Sequence, residues 1–301
     1  MTQLRSLPGA TLLALVAAAT TVLACGPANP GPPYGAGLVQ AGTLTVCVAP
    51  VGVPAAGVAY GPTGAQLSDE LVGYNVDFAR AIADRLELAP TLVETPFAEL
   101  LDAVAEHRCD VSVSSQNITT GRAEVVDFVP YTRASQRVLV THANPLAIDT
   151  IEGLCGRSVS ATDGSILVDM VEGSGDFGGF GLSQACLASG RQPIEVHRYP
   201  DHERAVQALR DGSVAAHLGN SNYVFRYPDE LAQSPATLPA ARQGIGVAKD
   251  RPELRQAVAE ALREMIDDGT YHAILLEHLG SEERVRAGSI AETDDAPTEM
   301  R

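Results

Sequence analysis

Between residues 44 and 279 the apolar positions follow two periods that take turns along the chain. Residues 44–48 (LTVCV) are a short apolar run with the length of a buried strand. Over residues 74–88, Val76, Phe78, Ala79, Ile82, Ala83 and Leu86 fall on one stripe at helical spacing, which predicts an amphipathic helix. Residues 91–93 predict a short strand, and residues 97–106 a helix with Leu100, Leu101 and Val104 turned inward. Residues 110–114 alternate polar and apolar, as a half-buried strand does, and residues 136–141 predict another strand. Residues 49–70 are rich in Gly and Pro and read as irregular.

The second half repeats the style. Strands are predicted over residues 157–161, 194–198, 214–218 and 245–249, and helices over 165–171, 183–189 and 203–210. A long amphipathic helix over residues 252–268 carries Pro252 in its first turn, where a missing N–H costs nothing. Gly269 breaks it, and residues 271–279 form a last helix. Residues 172–181 read as a glycine-rich loop and residues 281–301 as a frayed acidic tail. No fixed-period repeat is present. The alternation of strand and helix predicts an α/β fold.

The first residues follow another logic. Arg5 precedes an apolar stretch over residues 12–23, short for a bilayer span and the usual length of a secretory signal core. It ends in VLAC, residues 22–25, which looks like a bacterial lipobox and predicts lipidation of Cys25; a plain secretory signal followed by an unmodified Cys25 is the alternative. Residues 1–24 are then a lipoprotein signal peptide, and the Pro/Gly-rich residues 25–41 a semi-extended tether.

Composition narrows the function. A hydrophobic content of 45% supplies a core, and a formal charge of −16 repels phosphate backbones, so no nucleic-acid partner is expected. Lysine occurs only at Lys249, which excludes a P-loop or a Ser-x-x-Lys site. Export permits disulfides. With Cys25 set aside, four cysteines allow three pairings; Cys155–Cys186 is expected first and Cys47–Cys109 second, with buried free thiols as the alternative for the second pair.

The densest polar cluster is SSQNITTGR, residues 114–122. It follows a predicted strand and so lies at a strand's C-terminal end, where open α/β sheets bind ligands. Its hydroxyls and amides can hydrogen-bond, and the planar fork of Arg122 suits a carboxylate. A helix cap beside a surface arginine fits the same residues.

GYNVDFARAIA (73–83), FAELL (97–101) and DVSVSSQNITTGRAEVVDFVPY (110–131), followed by LCGRSV (154–159), ALRDGSVAA (208–216), GIGVAK (244–249) and DGTY (268–271), resemble in order the extracellular solute-binding proteins of family 3, which include the polar amino-acid receptors of ABC importers. The resemblance covers about residues 42–280. It implies a two-lobed type II periplasmic-binding fold, with two mixed sheets flanked by helices and a hinge of two crossings. Lobe one would hold residues 42–133 and 244–280, and lobe two residues 137–240. It further implies that Arg122 pairs with the ligand's carboxylate and that Ser114, Ser115, Asn117 and Thr119 supply hydroxyl and amide contacts. Phe97 would stack on the ligand, and Asp163 and Ser165 would form a turn that opens a helix.

Where this family often has an aspartate for the ligand's ammonium group, the chain has Asn220. Asp163 is one substitute for that charge; a carboxylate ligand without an ammonium group is the other way out. A second family aromatic is missing from residues 50–56, and Tyr60 or Tyr223 could replace it. GSGDFG, residues 173–178, follows a helix rather than a strand and reads as a loop, not a dinucleotide motif. His142, His197, His202 and His217 lack metal-ligand spacing and read as packed or surface residues. The expectation is therefore a monomeric binding protein, not an enzyme, with no cofactor and no metal. It would work with ABC permease subunits and be held at the membrane by its lipid anchor. A dehydratase on the same fold and a sensing domain are the rivals.

Overall fold

The computed structural model describes residues 37–50, 57–60, 66–179, 181–220, 224 and 227–290. The predicted leader, Cys25, the tether as far as residue 36 and Tyr223 lie outside the described residues; the last tether residues, 37–41, lie on the body, with the Val39 N–H donating to Asp110 Oδ1 at 2.9 Å.

Two groups of three parallel strands sit at the ends of one eight-stranded ladder, and two long antiparallel strands join them. The first group is β1 (Thr43–Val48) flanked by β4 (Ala89–Glu94) and β5 (Val111–Asn117). The second is β7 (Ser158–Thr162) flanked by β8 (Glu195–Tyr199) and β9 (Ala216–Asn220). Between them β6 (Val126–Thr141) and β10 (Leu231–Ala248) pair with each other, β10 also with β5 and β6 also with β9. The two expected sheets are thus fused at their crossings. The β6–β10 register slips between Gln233 and Thr237, between Thr237 and Ala240, and between Gln243 and Gly244, irregularities at which paired strands bend and twist.

Each parallel group has its own apolar core. In the first, α1 (Tyr74–Arg85), α7 (Pro252–Asp267) and α8 (Thr270–Leu279) bury Val76, Phe78, Ile82, Val258, Leu262 and Leu275 against Leu44, Val46 and Val113. The stripe read from the sequence over residues 74–88 is the buried face of α1. In the second, α4 (Ile166–Glu172) and α5 (Leu182–Ala188) cover Val138, Val159, Ala161 and Leu218, while α6 (His202–Arg210) closes the other face with Val206 and Leu209. Each half carries one disulfide, Cys47–Cys109 and Cys155–Cys186, the expected pairs.

Three expectations change. Within the stretch read as irregular over residues 49–70, β2 (Gly57–Tyr60) pairs antiparallel with β3 (Gln66–Val72). A short helix α3 (Thr120–Val125) follows β5, capped by the Thr119 hydroxyl, which accepts from Arg122 N. The tail is not frayed from residue 281 onward: α9 (Glu282–Gly288) buries Val285, and the Ile290 N–H donates to Tyr271 Oη at 3.1 Å. The strands expected over 136–141 and 245–249 are the ends of much longer ones, β6 and β10, which begin at Val126 and Leu231; the remaining elements agree to within a few residues. The segment read as helical over 97–106 is a 3₁₀ turn, Phe97–Glu99, running into α2 (Leu100–Ala105). No helix among the described residues is long and apolar enough to cross a membrane.

Candidate functional site

Four carboxamides occupy neighbouring strands where the crossings meet the parallel groups. Asn117 on β5 is opposite Gln243 on β10, and Gln136 on β6 is opposite Asn220 on β9. All four are buried. Gln243 accepts from Thr132 Oγ1 at 2.9 Å, and Gln136 Nε2 reaches Asn117 Oδ1 at 3.4 Å. A row of buried amides costs free energy unless their donors and acceptors are paired, so such a row marks a place built for hydrogen bonding.

These amides floor a cavity of about 50 Å³, whose walls include Phe97, Ser115, Thr162, Ser165, Leu167 and His217. That is room on the order of a few water molecules. Among the described residues, no Asp, Glu, Lys or Arg lines it. Of the residues expected at the site, Phe97, Ser115, Asn117, Ser165 and Asn220 come together here.

Arg122 belongs to the same region. Its Nη1 donates to the Asn117 carbonyl at 3.0 Å, and its Nη2 to the Gly164 carbonyl at 2.8 Å. The guanidinium carbon lies 5.8 Å from the centre of the Phe97 ring, within cation–π range. Desolvation lowers the Arg122 pKa from the usual arginine value, opposed by the charges of Asp169 and Asp176; the group stays cationic.

The two halves touch at this point. Gly164 has a left-handed φ of +70°, and a Cβ there would lie 2.6 Å from Ala98 Cα. The turn at 164 comes from the second half, Ala98 from the first. Beside it, Asp176 accepts from Gly121 N at 2.7 Å. Bonds from the Thr119 hydroxyl and the Gly121 amide, and then the Arg122 charge, hold the Asp176 carboxyl below the usual aspartate range.

Four expected residues lie apart from the cavity lining: Arg122, beside it as described, and Ser114, Thr119 and Asp163. Ser114 is fully buried, and its Oγ accepts from Ala49 N at 2.7 Å, joining β5 to the end of β1. Thr119 caps α3 and meets Asp176. Asp163 faces Arg198 at 3.6 Å, which also grips Glu172 through two contacts of 2.7 and 2.6 Å. Ser115 lines the cavity, but its hydroxyl is engaged from beneath. Tyr74 Oη and Asn75 Nδ2 each lie 3.1 Å from Ser115 Oγ, and Ser115 N donates to Tyr131 Oη at 2.8 Å. This buried knot surrounds Ser115, whose φ of +53° lies in the left-handed region. Burial raises the Tyr131 pKa, so its hydroxyl remains a donor, to Asn75 Oδ1 at 2.6 Å.

Gln136, Gln243, Thr162 and His217 were not singled out as site residues from the sequence. The two glutamines had one available signal: both fall in the expected crossings.

The sequence profile of the bacterial extracellular solute-binding proteins, family 3, matches residues 55–281. The chain belongs to this family. Relatives in it include the L-cystine-binding protein TcyJ of Escherichia coli, 27% identical over 230 residues, 74% of this chain and 80% of that protein. The glutamate-binding protein GluB of Corynebacterium efficiens is 26% identical over 293 residues, 90% of each chain. Among solved structures, an ancestral arginine-binding protein bound to glutamine has a TM-score of 0.67 at 27% identity, covering 80% of this chain and all (100%) of that one. An ancestral arginine-binding protein bound to arginine gives 0.66 at 26% identity, with 79% and 98% covered. The family's type II periplasmic-binding fold is therefore the fold of this chain, and its members are extracytoplasmic solute-binding proteins. The amide-floored cavity at the junction of the two halves is the family member's candidate ligand site.

Proposed function

We propose that this solute-binding protein captures a small carboxylate-bearing polar ligand, an amino acid, and delivers it to the permease of an ABC importer. Lobe one, residues 42–133 and 244–280, and lobe two, residues 137–240, would close on the ligand about the two crossings. Arg122 would take the ligand's carboxylate in a two-pronged bond, Phe97 would pack on its body, and Asn117, Ser115, Ser165 and Asn220 would surround its polar groups. Cys25 would carry the lipid that keeps the receptor near the permease. The observation that carries this reading is Arg122. Among the described residues, both its terminal nitrogens are satisfied by backbone carbonyls alone, 3.0 and 2.8 Å away, one from each half. A carboxylate would exchange those neutral acceptors for a charged one at the point where the halves meet. The names of the relatives, which bind cystine, glutamate and arginine, support the ligand class.

Binding rather than catalysis fits the cavity's chemistry. An elimination needs a base, and among the described lining residues the one titratable side chain is His217, whose pKa burial pushes down to about 3.

A second reading rests on the absence of Asp and Glu among the described lining residues: the ligand would be a carboxylate with no ammonium group. A thermal-shift screen of the full chain against amino acids, dicarboxylates and simple amines separates the two. At a thousandfold excess over Kd, a ligand of the native state stabilises it by about 4 kcal/mol. Stabilisation by an amino acid supports the first reading, by deaminated acids alone the second. Stabilisation by amines alone overturns both.

A further inference from the structure

His217 sits mid-strand on β9, fully buried, and lines the cavity. Its Nδ1 lies 3.0 Å from Ser160 Oγ. That serine has one hydroxyl hydrogen, and it donates it to the Ala205 carbonyl at 2.7 Å. The hydrogen between Ser160 and His217 therefore belongs to the imidazole, on Nδ1. The ring is neutral, because burial lowers its pKa to about 3. A neutral imidazole with its hydrogen on Nδ1 has a bare lone pair on Nε2. That atom is buried and has no hydrogen-bond partner among the described residues. The neighbouring His202 ring, 5.0 Å away centre to centre, packs against the imidazole and holds its plane.

A buried acceptor without a donor costs free energy until a donor arrives. The other buried polar atom of the lining in the same condition is Ser165 Oγ, which can donate or accept. The remaining described lining groups are amides, Ser115, a threonine, a glycine and apolar side chains, with no carboxylate among them.

Resting on the amino-acid reading above, we infer that His217 Nε2 accepts a hydrogen bond from the ligand's amino group and is a specificity-determining residue of the site. The amino group is then met by neutral acceptors instead of a carboxylate, and its charge is balanced only by the ligand's own carboxylate on Arg122. The site therefore favours a zwitterion with an uncharged side chain over a cationic amino acid, whose extra charge would find no acidic partner in the lining.

The test is calorimetric titration of the full chain with the best amino acid of the thermal-shift panel, its deaminated acid, and arginine. Wild type is expected to bind the amino acid at least tenfold more tightly than the deaminated acid and than arginine. In His217→Leu the preference over the deaminated acid collapses to near unity, and His217→Gln, which can present an oxygen near the Nε2 position, restores part of it. A variant that weakens both ligands equally, or a wild type without preference for the amine, overturns the inference. Arg122→Ala separates the two proposals: it should weaken both ligands by about 10- to 150-fold, and an affinity for both that it leaves unchanged sinks the receptor reading instead. If His217→Leu fails to fold, nitrogen-15 NMR of the wild-type imidazole decides. A hydrogen on Nδ1, with an Nε2 resonance that moves on ligand addition, sustains the inference; a hydrogen on Nε2, or an unmoved resonance, ends it.

Discussion

Arg122 Nη2 donates to the carbonyl oxygen of Gly164 across 2.8 Å, so one guanidinium spans the two halves. Its other terminal nitrogen holds the end of β5 through Asn117. A ligand carboxylate offers both nitrogens stronger, charge-assisted bonds in one plane. Arg122→Ala is expected to lower ligand affinity by about 10- to 150-fold, the weight of roughly 1.5–3 kcal/mol for bonds to a charged group. Arg122→Lys keeps the charge but loses the planar fork and should fall between. Titration of both variants checks this, and equal affinity for wild type and Ala would remove Arg122 from the site.

Gly164 makes a separate prediction, because the position has no room for a side chain. An added Cβ would lie 2.6 Å from Ala98 Cα, on a backbone with φ +70°. Part of the cost of Gly164→Val is the left-handed backbone and would appear in any state of the protein. The contact with Ala98 exists only where the halves touch. The variant should therefore lose ligand affinity by more than the ligand-free protein loses in stability. Parallel denaturant melts with and without ligand measure both losses. If the whole loss appears without ligand, closure is not what the glycine permits.

How far the sequence carried this picture depends on what each segment had to encode. The parallel groups were legible because each strand and helix buries a stripe of its own, as α1 does with Val76, Phe78 and Ile82. The crossings were half legible. Only residues 136–141 in β6 and 245–249 at the end of β10, one residue past its last, showed a strand pattern, since Pro130 in the one and Pro235 and Pro239 in the other interrupt it. Gly246 has no side chain to show a pattern, because a Cβ there would meet Ser112 Oγ at 2.6 Å. The hairpin of β2 and β3 was hidden in a Gly/Pro-rich stretch, and α9 gave little signal because its burial rests on Val285. Within the site, Arg122 and the polar run before it were visible as a motif. His217 was not, because its chemistry depends on Ser160, a residue 57 positions away. A histidine on a strand gives no sign of which nitrogen it has left free.

The disulfides predict a stability loss that differs little between the halves. Cys155–Cys186 closes a separation of 31 residues and Cys47–Cys109 one of 62. In the chain-entropy account, doubling a loop adds only about 0.6 kcal/mol, and each bridge contributes about 4 kcal/mol. Replacing either pair by serines should lower the unfolding free energy by roughly 2–4 kcal/mol, with the 47–109 pair the costlier by a few tenths. Urea melts of the two double variants test it. A loss confined to one pair would mean that the other bridge closes a loop already ordered in the unfolded chain.

Asp176 ties ligand affinity to acidity. Its carboxylate accepts from Gly121 N at 2.7 Å and from the Thr119 hydroxyl, and both bonds lower its pKa from the usual aspartate value. The bonds join the loop after α4 to the start of α3, so they form only where the halves meet. A carboxyl whose pKa is lower in that state than when the halves are apart favours contact above the ordinary aspartate pKa. The contribution disappears as pH falls through the depressed value. Ligand affinity should therefore be flat near neutrality and decline below about pH 4, the ordinary carboxylate range. Asp176→Asn should remove this acid limb and weaken binding a few-fold at neutral pH, a modest effect because the side chain is exposed and water competes for its bonds. Titrations from neutral pH into the acid range compare the two proteins. If the decline persists unchanged in Asp176→Asn, another carboxyl carries it, and this contact adds nothing to closure.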